Sequence, residues 1–217
     1  MSIIIQNLSK TFHSGGQKIP VLRSISLTIP AGRSCVLMGP NGAGKTTLLK
    51  ILSTLVMPDS GEASIAGWHI LRDPAKARRS IGLACDTERS FYQVLSVEEN
   101  LKFYGRLMGL GPAAGSRMEK LMQETGLDRY RSMKMSHCSS GTRQKAALVR
   151  ALLPDPPVLL IDEPMKSLDP DARKEISRFI KEIIAGGNKT CLMVSHEIEE
   201  AGSLADMAVR LKDGNLS

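Results

Sequence analysis

The sequence predicts an α/β fold, a mainly parallel sheet with flanking helices, on three observations. First, Ser34-Cys35-Val36-Leu37-Met38 is an apolar run short enough for a buried strand. It leads directly into Gly39-Pro40-Asn41-Gly42-Ala43-Gly44-Lys45-Thr46, which matches the phosphate-loop pattern G-x-x-x-x-G-K-[ST] at every fixed position. Second, residues 47–52 have helical spacing, so strand, glycine loop and helix stand in the order that the pattern requires. Third, residues 157–161 and 190–194 are two more buried-strand runs, ending in Asp162-Glu163 and Ser195-His196. Ligands of open α/β sheets bind beyond the carboxyl ends of the strands. The three strands would therefore deliver the loop, the carboxylates and His196 to one edge.

The remaining elements follow in order. Residues 2–8 read as an isoleucine-rich strand, followed by a polar loop with Gly15-Gly16. Residues 21–29 alternate (Val21, Leu22, Ile25, Leu27, Ile29) as a half-buried strand. Pro30-Ala31-Gly32 is a turn, Met57-Pro58-Asp59-Ser60-Gly61 ends the helix after the loop, and a short strand begins at Glu62. Residues 81–85 read as a buried strand, and from 86 to about 150 the character is helical. Ser96-Val97-Glu98-Glu99 is a capping box opening a helix that Gly109 stops. Ser116-Arg117-Met118-Glu119 repeats the pattern, which leaves residues 111–115 as a linker. Helices are predicted over 146–153, over 171–184 with Ile176, Phe179 and Ile180 on one face, and over 197–204; a last strand covers 207–211.

A chain of 217 residues suits one large domain. Its formal charge of +7 comes from 29 basic against 22 acidic residues, and the basic residues are scattered, as solvated surface charges are. Cys35, Cys85, Cys138 and Cys191 form no C-x-x-C pair and read as reduced structural cysteines of a cytosolic protein. The longest apolar runs fall far short of the roughly 20 residues that span a bilayer, and the N-terminus lacks the features of a signal peptide.

The glycines of the loop let the backbone turn its N–H groups onto an anion, and the following helix N-terminus adds partial positive charge there. Lys45 supplies a full charge for the outer phosphates and the Thr46 hydroxyl is placed for Mg²⁺. Asp162 ends a buried strand, either as the second Mg²⁺ holder or as a helix N-cap. Glu163 either polarises the attacking water or is a surface carboxylate; His196 either meets the terminal phosphate or is a structural histidine. Cys138-Ser139-Ser140-Gly141-Thr142 opens a helix, as a second anion site or as an ordinary cap. A guanine-reading N-K-x-D motif is absent, since Asn188-Lys189-Thr190-Cys191 fails at its last position, and a kinase has no use for His196 or the Ser139/Gly141 site.

Together these residues closely resemble the nucleotide-binding subunit of ATP-binding-cassette (ABC) transporters, over essentially the whole chain. The resemblance implies a P-loop NTPase core with an N-terminal antiparallel β-subdomain and an inserted helical subdomain. The single domain would divide into core and β-subdomain at approximately 1–85 and 151–217, with the helical subdomain at 86–150. In the family's terms, residues 39–46 are the Walker A motif and residues 158–162 the Walker B strand. Glu163 is then the catalytic carboxylate, His196 the switch histidine ahead of Glu199-Glu200-Ala201, and Ser167-Leu168-Asp169 the D-loop. The nucleotide-binding set is Phe12, Gly39, Pro40, Asn41, Gly42, Ala43, Gly44, Lys45, Thr46, Thr47, Ser139, Gly141 and Asp169; Phe12 stacks on adenine or, alternatively, packs in the core.

The signature motif LSGGQ falls on residues 138–142, keeping Ser139 and Gly141 but carrying Cys138, Ser140 and Thr142 elsewhere. The family also places a glutamine that touches Mg²⁺ and water just after residues 81–85. Here Asp86 or Thr87 stands there, depending on the direction of counting, and Asp86 is the favoured metal-side residue. The implied cofactors are ATP and Mg²⁺. The implied partners are a second ATP-binding subunit, as a head-to-tail homodimer, and a separate polytopic membrane subunit; nucleic acid is not expected. The chain would lie at the cytoplasmic face of the cell membrane. Ser140 and Glu88-Arg89-Ser90-Phe91-Tyr92 resemble the exporter-like branch. The alternative is a non-transport cassette ATPase acting on a macromolecular complex, although such proteins usually carry two cassettes or a coiled-coil insertion.

Overall fold

The computed structural model describes residues 3–85, 90–166, 168–196 and 204–217. Two sheets organise them. The first is antiparallel, in the order β2-β1-β4-β5, from β1 (Ile3–Ser14), β2 (Gln17–Ile29), β4 (Ser60–Ile65) and β5 (Trp68–His69). The second has the order β10-β9-β3-β8-β7-β6, from β3 (Ser34–Met38), β6 (Ile81–Cys85), β7 (Val158–Asp162), β8 (Thr190–Ser195), β9 (Met207–Lys212) and β10 (Asn215–Leu216). Its strands are parallel except β10, which returns antiparallel along β9. The apolar β3, β7 and β8 are buried nearly throughout, as strands covered on both faces must be.

The β1–β2 hairpin is longer than the alternation indicated. Gly15 and Gly16, both at positive φ, form a two-residue turn between Ser14 and Gln17. The strand ends beside this turn are exposed and largely polar, so they carry no apolar stripe to betray them.

Among the described residues the α-helices are α1 (Lys45–Leu52), α2 (Pro74–Arg79), α3 (Val97–Leu107), α4 (Ala113–Glu124), α5 (Ser140–Leu152) and α6 (Pro170–Ala185). The capping box of α3 forms as the sequence predicts: Glu99 N donates to Ser96 Oγ at 3.2 Å and Ser96 N to Glu99 Oε2 at 2.8 Å. The second box does not form. Helix α4 starts three residues before Ser116, with Pro112 at its N-cap, so residues 113–115 are helix rather than linker. Proline lacks the donor that a first helical turn leaves idle, and Ala113 and Ala114 favour helix, so the start moves toward the N-terminus. Helix α5 likewise begins at Ser140, ahead of the predicted 146. The short β5, α2 and β10 escaped the sequence reading. The predicted helix over 197–204 lies outside the described residues except for Leu204.

Among the described residues three buried clusters hold the fold. Ile3, Leu8, Ile29, Leu48, Ile51 and Leu52 fill the space between the antiparallel sheet, α1 and one face of the parallel sheet. Val36, Leu148, Leu159, Ile161, Ile176 and Phe179 fill the opposite face under α5 and α6. Phe91, Val97, Leu101, Met118, Met122 and Ala146 join α3, α4 and α5. Helix α5 therefore serves two clusters, and Gly141 and Thr142 and then every residue from Gln144 to Leu152 are buried. Gly82 lets it approach β6, since a Cβ there would lie 2.2 Å from the Ala151 carbonyl oxygen. Cys35 and Cys191 are buried free thiols on adjacent strands, and burial pushes them up to about 11 and about 12. Among the described residues no helix is long and apolar enough to cross a membrane.

Candidate active site

Parallel register brings the ends of β3, β7 and β8 together: Met38 pairs with Ser195, and Asp162 with Val194. The glycine loop, the two carboxylates and His196 consequently emerge at one edge of the sheet. In the loop, Gly39, Gly42 and Gly44 have φ of +155°, +81° and +105°. A Cβ on Gly39 would meet the Leu211 carbonyl oxygen at 2.2 Å, and one on Gly44 would meet that of Val21 at 2.7 Å, so both need glycine for space as well as for conformation. Gly44 is the N-cap of α1, and neither a side-chain cap nor an acidic residue occupies that first turn. The leading amides of α1 thus face the loop as an anion site.

Lys45 is 5% exposed. Its ammonium donates to the carbonyl oxygens of Gly39 at 2.7 Å and Pro40 at 3.1 Å, and lies 3.7 Å from Glu163 Oε1. The Thr46 hydroxyl is 3.3 Å from Asp162 Oδ1. Asp162 caps no helix; Asp169 does so for α6, with its Oδ1 accepting from Asp171 N and Ala172 N, which holds that carboxyl below the usual range. Burial raises the Asp162 carboxyl, and the charge of Glu163 adds to this against the Thr46 hydrogen bond.

Glu163 adopts φ +48°, fixed by its N–H donating to Val194 O at 3.0 Å, and its Oε2 lies 2.7 Å from His196 Nδ1. Its side chain is 18% exposed. Lys45, Glu163 and His196 therefore form one line of contacts across the strand ends. A hydroxyl and a single carboxylate meeting at Thr46 and Asp162 suit a hard cation that keeps its remaining positions for water and phosphate. No group of three or more His, Cys, Asp or Glu among the described residues could hold a metal by itself.

The structure places the other predicted residues separately. Ser139 caps α5, with Oγ accepting from Thr142 N at 3.2 Å. Gly141 packs the start of α5 on that of α6, where a Cβ would lie 3.1 Å from Ala172 Cβ. Phe12 stands opposite Ile19 near the hairpin tip, 40% exposed with Lys10 Nζ 5.4 Å from its ring centre, so core packing is excluded. The sequence reading missed a cavity of about 290 Å³ where Pro20, Val21, Arg23, Asp213 and Gly214 face Pro40, Asn41, Gly42 and Ala43. Only the three-dimensional closure of the hairpin and the C-terminal turn over the loop creates it. Asp86, Thr87, Ser167, Glu199, Glu200 and Ala201 lie outside the described residues. Cys85, the last residue of β6, pairs with Asp162.

A glycine loop capping a helix, with a lysine, a hydroxyl and strand-end carboxylates converging on it, defines a P-loop nucleotide-binding site. The profile of the ABC transporter family matches residues 22–166. Among curated proteins, the ABC transporter ATP-binding protein NatA of Bacillus subtilis (strain 168) is 33% identical, over 99% of this chain and 87% of its own length. The Nod factor export ATP-binding protein I of Burkholderia lata is 35% identical, over 98% of this chain and 68% of its own. Some relatives are longer: the chain spans 57% of an osmoprotectant import ATP-binding protein of Salmonella typhimurium and 64% of a doxorubicin resistance ATP-binding protein of Mycobacterium tuberculosis. Among solved structures, a dimeric ATP-binding cassette in a post-hydrolysis state, bound to ADP and Pi, superposes with a TM-score of 0.89 at 28% identity, covering 99% of this chain and 96% of that one. The chain belongs to the ABC transporter family, as an ATP-binding protein with ATPase chemistry.

Proposed function

We propose that this chain hydrolyses ATP as the cassette of an exporter, as a homodimer docked to a separate polytopic membrane subunit at the cytoplasmic face of the membrane. The observation that carries the reading is the meeting of Lys45, Thr46–Asp162 and Glu163–His196 at one sheet edge. In this reading the α1 amides and Lys45 take the phosphates, and Lys45 exchanges the Gly39 and Pro40 carbonyls for phosphate oxygens. Thr46 and Asp162 would hold Mg²⁺, which when bound neutralises charge between the phosphates. Glu163 accepts the proton of the attacking water, and His196, set beside that carboxylate, meets the γ-phosphate. Phe12 stacks on the base. Ser139, Gly141 and Asp169 close over ATP held by the partner copy. Residues 86–150 form the helical subdomain facing the membrane subunit. Export rather than import rests on the Nod factor relative and on Ser140 and residues 88–92.

Subunit mixing tests the paired arrangement. Lys45→Ala chains, which are inactive, and Ser139→Ala chains, whose activity is reduced, should show more ATPase activity combined than either does alone, because one composite site is then intact. Mixed dimers no more active than either parent would count against it.

Asp86 is proposed as the metal-side residue that replaces the family's glutamine. It supplies a negative charge, whereas Thr87 offers only a short hydroxyl. Asp86→Ala should raise the Mg²⁺ concentration for half-maximal ATPase severalfold, and Thr87→Ala should leave it nearly unchanged, both measured with the membrane partner present. An unaltered Mg²⁺ dependence for Asp86→Ala refutes the assignment.

A further inference from the structure

The start of α5 departs from its family at three of five positions, and one departure has a geometric partner. Thr142, where the signature carries glutamine, is 6% exposed, and its Oγ1 lies 3.0 Å from the exposed Ser139 Oγ. Ser139 Oγ also accepts from Thr142 N at 3.2 Å. A serine hydroxyl has one proton and two acceptor sites. The backbone N–H takes one acceptor site. Two arrangements remain. If Ser139 donates to Thr142, its proton is turned inward and only a lone pair faces out. If Thr142 donates to Ser139, both acceptor sites are filled and the Ser139 proton alone points outward. An anion is repelled by the first arrangement and bound by the second.

We propose that Thr142 is a positioning residue. Its buried hydroxyl donates to Ser139 Oγ and so commits the Ser139 O–H to the phosphate of the ATP held by the other copy. Glutamine carries its polar group two atoms farther from the backbone, so the short Thr142 side chain is what allows this local pairing. The inference rests on the reading of Ser139 as a phosphate contact and adds to it the group that orients the proton. The chemistry is a fixed donor aimed at developing charge, where orientation is prepared before the reaction.

The test is a double-mutant cycle in the full chain, comparing wild type, Thr142→Val, Ser139→Ala and the double variant. Thr142→Val keeps the side-chain shape and removes the hydroxyl. It should lower kcat about tenfold, the scale of one oriented hydrogen bond, and Thr142→Ser should restore most of the rate. In the Ser139→Ala background the same change should cost nothing further. ATP-driven dimerisation in the Glu163→Gln background, read by size-exclusion chromatography, should shift to about tenfold higher protein concentration with Thr142→Val. Where Thr142→Val fails to fold, Thr142→Ala serves in the same cycle. An equal loss in both Ser139 backgrounds means that Thr142 acts through packing, and it overturns the inference alone. Full activity in Ser139→Ala overturns the phosphate reading of Ser139 and the inference with it.

Discussion

Glu163→Gln should lower steady-state ATPase by about two to four orders of magnitude, the range lost with a general base, while leaving ATP binding intact. The carboxylate stands between Lys45 Nζ, 3.7 Å from Oε1, and His196 Nδ1, 2.7 Å from Oε2. Glutamine fills the same volume and the amide oxygen can still accept from one neighbour, but it cannot take a proton from water. The φ of +48° and the Glu163 N–H bond to Val194 O belong to the backbone and survive the change. Phosphate contacts from α1 and Lys45 therefore remain, and closed dimers should accumulate with ATP. Size-exclusion chromatography with and without ATP, beside a phosphate-release assay, checks both halves. Hydrolysis at the wild-type rate would remove Glu163 from the chemistry. A variant that stays monomeric with ATP at high protein concentration would count against the paired arrangement.

Lys45→Ala should abolish measurable hydrolysis and weaken ATP binding by at least about a hundredfold, the scale of losing a charge-assisted contact to phosphate in a site of low polarity. Two losses combine. The charge facing the outer phosphates disappears, and the Gly39 and Pro40 carbonyls lose the donor that ties the loop to the start of α1. Lys45→Arg separates them, since it keeps the charge but not the compact ammonium that fits between those carbonyls. Titration of a fluorescent ATP analogue with each variant, together with thermal melts, reads binding and loop integrity independently. Undiminished ATPase in Lys45→Ala would sink the assignment of the loop.

Much of this site could be read in the chain because it is built from local rules. The fixed glycines and Lys45 sit within eight consecutive residues, and the strands carrying Asp162 and His196 are apolar runs whose ends are marked by polar side chains. Parallel pairing, which a sequence implies only through the alternation of strands and helices, then set those ends side by side. The failures have local causes too. Ser116 carries the pattern of a helix start, but Pro112 offers a better one and the nearer signal lost. The exposed half of the hairpin has no buried face, so period-two alternation was silent from Lys10 to Ile19. The ion pair between Lys45 and Glu163, the contact of Ser139 with Thr142 and the lining of the cavity by Arg23 and Asp213 depend on tertiary placement that no spacing encodes.

Strands β6 and β7 are neighbours in the sheet and consecutive along the chain, and α5 lies between them in sequence and packs on β6. In topological terms α5 is the crossover helix of an ordinary β-α-β unit, and α3 and α4 are an excursion inserted before it. An excursion can lengthen, shorten or change its outer surface without altering the order or register of the strands, because the chain re-enters the unit through the same helix. Change on the outer surface of the excursion is thereby uncoupled from the strand ends where Lys45, Asp162 and Glu163 meet. The uncoupling stops at α5 itself, whose residues are committed to both sides, and the border between variable and invariant structure should run through its first turn.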